Sequence, residues 1–177
     1  MNILDLAMQL NLSKKLTRSG WKREKVADAE SISDHGFGIV TLITLFSPSL
    51  KADTLKMVKM AIIHNFASTV SEDIVAERSF QIMTEIDAIK KKIERQAIEK
   101  WLTQYGDDYL KIYDEMVENK TNEAVIFTQL DKLEMAIQAY QYEKEQGKKL
   151  NEFFKNAGTR IKHPVLKKVF EDLLKMR

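Results

Sequence analysis

Apolar residues return every third or fourth position along most of this chain, and in three places the returning residue is polar instead. The lines are Ile32, His35, Ile39 and Leu42; Met57, Met60, His64 and Ala67; and Phe127, Asp131 and Met135. Residues at these spacings share one face of an α-helix. Only six Gly and two Pro occur in the 177 residues, and 31% are charged. Such a chain favours helices joined by short connections over strands. The expected fold is all-α, a single-domain helical bundle over residues 1–177, with one sizeable core.

Caps and breakers place the helices. A first helix is expected over roughly 2–15, with Ile3, Leu6, Ala7 and Leu10 inward, followed by an irregular basic stretch from Thr17. Ser31 or Ser33 can cap a second helix running to about Phe46, with Pro48 marking its end. Asp53 can cap a third through Phe66, where Leu55, Val58 and Ile62 suggest burial on most sides. Residues 68–78 read equally as helix end or loop. Further helices are expected over about 82–104, 107–118 and from Thr121 or Asn122 to Gln146, which Gly147 can terminate. A turn around Phe153 and a helix opening at Pro164 complete the chain.

Composition narrows the function classes. Cysteine is absent, so no disulfide framework or thiolate site can form. The N-terminus carries no signal-peptide pattern and no apolar run has the length of a membrane span, so a cytoplasmic protein without a membrane partner is expected. Net charge is +2 with mixed signs, and Lys90-Lys91-Lys92 reads as a solvated helix face rather than a nucleic-acid patch.

The three polar interruptions are the informative feature. Burying an ionisable group is costly unless it is paired, and one divalent cation would pair all three. Taken singly, a core histidine bonded to a carbonyl, or an aspartate tethering two helices, would serve as well. Three interruptions on three helices weaken that reading, although periodicity cannot show that they converge. Two imidazoles with oxygen ligands suit Mn, Fe, Co, Ni or Zn better than Mg or Ca.

The same residues carry a family resemblance. Glu30-Ser31-Ile32-Ser33-Asp34-His35, Met60 through His64-Asn65-Phe66-Ala67, and Gln129-Leu130-Asp131-Lys132-Leu133-Glu134-Met135 resemble the motifs of the HD-domain phosphohydrolases, in their 5′-deoxynucleotidase-like branch. Arg18-Ser19-Gly20-Trp21 is similar to an Arg-Thr-Gly-Trp stretch of that branch. The resemblance implies that His35, His64, residue 65 and Asp131 hold one divalent transition metal, and that the substrate is a nucleoside 5′-monophosphate. It implies that Arg18 contacts the phosphate and that Asp73 lies near the substrate. Trp21 packs by the nucleotide or in the core, and a homodimer is implied.

Two positions depart from the family pattern. Residue 65 is Asn where the family has Asp, so the ligand set carries one formal negative charge and weaker metal binding is expected. Residue 68 is Ser where the family has a Glu that handles protons, and a hydroxyl cannot act as a general base near pH 7 unaided. Glu72, one helical turn on, is a candidate substitute. An active enzyme with altered ligands and a degenerate nucleotide-binding or dimeric interaction protein both remain open. A deliberate replacement at 65 alone would leave Ser68 and Glu72 unaccounted for.

Overall fold

Helix α7, Asn122–Gln146, is the axis of the molecule. It is buried on most of its circumference: Ile126, Phe127, Leu130, Leu133, Met135, Ala136 and Ala139 all belong to the core. Thr121 caps its first turn by accepting the Ala124 N–H, and Gly147, in the left-handed region at φ 63°, ends it. Only a residue without a Cβ enters that conformation freely.

The structure is a computed structural model describing residues 2–71 and 80–177, with side chains from 87 onward in the second stretch. Around α7 lie α1 (Ile3–Asn11), α2 (Ser19–Arg23), α3 (Ile32–Leu50) and α4 (Thr54–Ser71). The chain continues through α5 (Phe80–Trp101), α6 (Asp108–Glu118), α8 (Asn151–Arg160) and α9 (Pro164–Met176). Short 3-10 turns follow α1 and α5, and no strand occurs among the described residues. The fold is all-α. Helix α3 packs on α4 and α7, α4 also on α5, α6 and α7, and α8 and α9 close the far side of α7. Apolar side chains from these helices form one continuous cluster.

The caps act as the residue types require. Ser31 Oγ accepts the Asp34 N–H while Asp34 accepts the Ser31 N–H, a reciprocal box that starts α3 four residues before His35. Asp53 Oδ1 accepts the Lys56 N–H and starts α4. An isolated bridge between Thr17 and Ser31 ties the basic stretch to the start of α3.

Several boundaries differ from expectation. α3 runs past Phe46 to Leu50 with Pro48 inside its last turn. There the proline removes the N–H that would reach the Thr44 carbonyl, which accepts from the Ser47 hydroxyl at 3.3 Å instead. α4 runs past Phe66 to Ser71, where the Ser71 hydroxyl donates back to the Ala67 carbonyl. Leu55 (67% exposed) and Ile62 (44%) face outward; the buried stripe of α4 is Met57, Met60, Ala61, Ile63, Phe66 and Ala67. On α1 only Leu6 is buried, and Ile3 and Ala7 are exposed, because a helix of 9 residues at the edge of the bundle touches the core along one line only. No helix among the described residues is long and apolar enough to cross a membrane.

Candidate metal centre

Helices α3, α4 and α7 meet where the three polar interruptions lie. One ligating atom each from His35, His64 and Asp131 falls within 4.8 Å of the others. Asp131 Oδ1 is the pivot, 2.9 Å from His35 Nε2 and 3.9 Å from His64 Nε2. The other oxygen, Oδ2, accepts from Lys132 Nζ at 2.8 Å. His35 is almost fully buried, and its second nitrogen, Nδ1, lies 2.5 Å from Glu134 Oε2. The ring is therefore held between two carboxylates from one helix, a turn apart.

The electrostatics follow from these contacts. Burial, the strongest influence on His35, and the Arg18 charge disfavour its protonated form, but the hydrogen bonds to Asp131 and Glu134 outweigh them and its pKa is raised. Carboxylates that favour a proton on a ring favour a cation beside it for the same reason. Desolvation would raise Asp131; Lys132 first, then the two imidazoles, reverse this and hold it well below the usual carboxylate range. His64 keeps 30% of its side-chain surface exposed. Its pKa is nevertheless pushed down to about 3, by desolvation first and by His35, Arg18 and Lys132 against the pull of Asp131. A neutral imidazole is the form that ligates a metal. Glu30 is raised, by burial first and then by repulsion from Glu134.

Asn65 supplies an independent observation. Its amide fills the notch left by Gly36 on α3, where a Cβ would lie 1.6 Å from Asn65 Nδ2. Its Oδ1 is buried and accepts no hydrogen bond. A buried oxygen without a donor costs about 1–3 kcal/mol, and a cation beside it would remove that cost. Two imidazole nitrogens, a carboxylate oxygen and an amide oxygen form a donor set that fits a divalent transition ion.

Beside these residues lies a cavity of about 180 Å³ whose wall includes Arg18, Lys90, Lys132, His64 and Ser68. Asp131 is its one carboxylate among the described residues, so the cavity is cationic. The Nη1 of Arg18 is buried and its N–H groups have no hydrogen-bond partner among the described residues, while Nε faces Glu30 Oε1 at 3.8 Å. A second cavity of about 310 Å³ shares His64, Ser68, Lys90 and Asp131 and is more apolar, with Ala67, Met116 and Phe127. A larger cleft of about 660 Å³ between α7 and α8 touches this region only through Lys132.

The chain matches the model of the HD domain over residues 10–173. It belongs to the HD-domain family. Among relatives of this HD-domain protein, the 5′-deoxynucleotidase HDDC2 of Dictyostelium discoideum is 29% identical over 174 residues, covering 87% of each chain. A 5′-deoxynucleotidase of Schizosaccharomyces pombe is 29% identical and covers 95% of this chain and 86% of its own. In solved structures, a protein of Pyrococcus horikoshii superposes with a TM-score of 0.80 at 26% identity, covering 99% of this chain and all of the other. HD domains bind divalent metals, and His35, His64 and Asp131 of this chain form a group that could hold one.

The remaining sequence candidates fall into place as follows. Arg18 and Ser68 line the cavity beside the histidines. Trp21 is 1% exposed and stacks on Phe153 at 4.2 Å, so its ring belongs to the core. It reaches the site only by donating its indole N–H to Glu30 at 2.8 Å. Glu72 and Asp73 lie outside the described residues. Lys91 and Lys92 are exposed, but Lys90 turns into the cavity and so differs from the solvated face expected of the run. Residue-by-residue periodicity gave no role to Glu134, Lys132 or Lys90. The signal for Glu134 was its place one turn after Asp131, on the same inward side of α7.

Proposed function

We propose that this protein is a metal-dependent phosphohydrolase acting on nucleoside 5′-monophosphates, releasing the nucleoside and inorganic phosphate. The observation that carries the reading is one juxtaposition: a His35–His64–Asp131 cluster opening onto a small cavity lined by Arg18, Lys90 and Lys132. The activity named for the relatives supports the substrate class. His35, His64, Asn65 and Asp131 would hold the ion, which when bound would polarise a phosphoryl oxygen and activate water. Co, Mn, Fe, Ni and Zn all suit the donor set.

The chain's own groups then have separate tasks. Arg18 lines the cavity and offers a permanently charged guanidinium to the phosphate. Lys90 and Lys132 add positive charge on two further sides of the cavity. Ser68 reaches the cavity wall but brings no carboxylate, so proton transfer falls to Asp73 or Glu72 in this reading. The more apolar neighbouring cavity suits a nucleoside better than a second phosphate. A cytoplasmic homodimer completes the proposal, supported by the exposed apolar side chains Phe37 and Leu45 on α3 and Leu55 and Ile62 on α4.

The test is phosphate release from a panel of deoxynucleoside and ribonucleoside monophosphates with added Co or Mn. Turnover well above a His64→Ala control is expected; equality with that control overturns the enzymatic reading. One observation favours a second reading, a nucleotide-binding protein without turnover: Asp131, already engaged by His35 and Lys132, is the lone carboxylate at the smaller cavity among the described residues. It expects saturable nucleotide binding with no product.

A further inference from the structure

The centre has one carboxylate among its candidate ligands, and Lys132 already occupies an oxygen of that carboxylate at 2.8 Å. On charge alone it is a poor host for a dication. We propose that Glu134 supplies, through the ring of His35, the negative charge that position 65 does not bring. The proposal rests on the metal-centre reading above and concerns how this chain sustains it.

The geometry is specific. Asp131 and Glu134 lie one turn apart on α7 and grip opposite edges of the same imidazole, at 2.9 Å on Nε2 and 2.5 Å on Nδ1. With the Nδ1–H donated to Glu134, an ion that displaces the Nε2 proton shared with Asp131 would meet the Nε2 lone pair on the side of Asp131 Oδ1 and His64. A carboxylate accepting the far N–H of a ligand histidine fixes its tautomer and raises its basicity, and burial strengthens that effect. The side chains of His35 and Glu134 are 2% and 10% exposed, so water screens this contact little. Glu30 also brings an oxygen within 4.8 Å of the His35 ring and Glu134, but its Oε1 accepts the Trp21 indole N–H and faces Arg18.

The backbone of α3 makes room for the arrangement. A Cβ at Gly38 would lie 2.6 Å from Glu134 Oε1 and 2.9 Å from its Cγ. Glycine inside a helix is less stable than alanine, so α3 gives up helix stability where Glu134 needs space. Gly36 does the same for Asn65 two residues earlier. Both glycines lie within one turn after His35, one making room for the Asn65 amide and the other for the compensating carboxylate.

Cobalt titration of metal-free protein, followed by its visible absorption, tests the proposal without any turnover assay. Glu134→Gln keeps an oxygen for the ring N–H and removes the charge; a 10–100-fold weaker cobalt Kd is expected. Asn65→Asp in that background should recover most of the loss, because a charge restored at the ion replaces one lost behind the ring. Gly38→Ala, which leaves Glu134 chemically intact but displaced, should weaken binding in the same direction. A merely structural Glu134 would not be rescued from position 65. An unchanged Kd in Glu134→Gln, or no recovery on adding Asn65→Asp, overturns the proposal while leaving the metal centre standing. Two cobalt ions per chain also overturns it, since Glu134 would then be a direct ligand. Failure of the unmodified protein to take up cobalt overturns the metal centre itself.

Discussion

The two halves of the candidate centre are built differently. On the α3–α7 side, His35, Asp131 and Glu134 are all buried, and both ring nitrogens and both Asp131 oxygens have partners. On the α4 side, His64 is 30% exposed on its side chain, Asn65 Oδ1 has no partner, and Ser68 lines open space. Both departures from the family pattern, Asn65 and Ser68, fall on this second half. The first half is part of the core and its loss would be felt by the fold. On the second, the more exposed His64 and Ser68 face the cavity that His35 and Asp131 also line, and their loss would be felt by the chemistry. A protein can therefore keep the scaffold of such a centre while its reactive face changes.

The largest expected effect breaks this symmetry directly. His35→Ala leaves Asp131 and Glu134 buried without their shared imidazole, and should cost about 3–5 kcal/mol of stability. His64→Ala should cost far less stability while abolishing metal uptake. Chemical denaturation of the two variants beside a cobalt titration checks both halves at once; equal destabilisation would show that the division is wrong. Next, Asn65→Asp with Ser68→Glu rebuilds only the α4 face. If a missing proton-transfer group limits the reaction, phosphate release should rise by about 10²-fold or more.

A smaller effect is expected at Trp21. Trp21→Phe keeps an aromatic ring against Phe153 but deprives the buried Glu30 of its indole donor. A loss of about 1–3 kcal/mol is expected, with cobalt affinity nearly unchanged if Trp21 serves the scaffold half alone. The smallest effect lies away from the centre. Glu143 accepts from Arg177 and from the Leu150 N–H, and its pKa is lowered, with Arg177 as the largest cause. A depressed carboxylate stabilises the fold fully above its ordinary value of 4.5 and less as pH falls through its folded value. Glu143→Gln should thus lose about 1 kcal/mol at neutral pH and differ little from the parent in strong acid, as pH-dependent melting would show.

Much of this is legible in the order of residues alone. Ser31, Asp53, Thr121 and Gly147 announced helix ends by their chemistry, and each acts as expected because capping depends on residues within one turn. The metal-ligand candidates were legible as violations of a stripe, since His35, His64 and Asp131 stand where helical spacing demands apolar groups. Less legible was direction. α7 is buried on most sides, so no stripe distinguishes the face that carries Asp131 and Glu134 from the one that carries Gln129. Leu55 and Ile62 misled for another reason: they stand two turns apart on an outward line of a helix otherwise packed on four other α-helices, and an exposed apolar side chain there is ordinary.

By itself, then, the order of residues determined that this chain is helical, where most helices begin and end, and which polar groups needed partners, because those are matters of local backbone and burial cost. Tertiary structure alone decided that α3, α4 and α7 bring three of those groups within 4.8 Å, that Glu134 stands behind His35, and that Gly36 and Gly38 leave room for Asn65 and Glu134. Contacts between residues 96 or 99 positions apart are set by how whole helices pack. No short-range pattern carries that information.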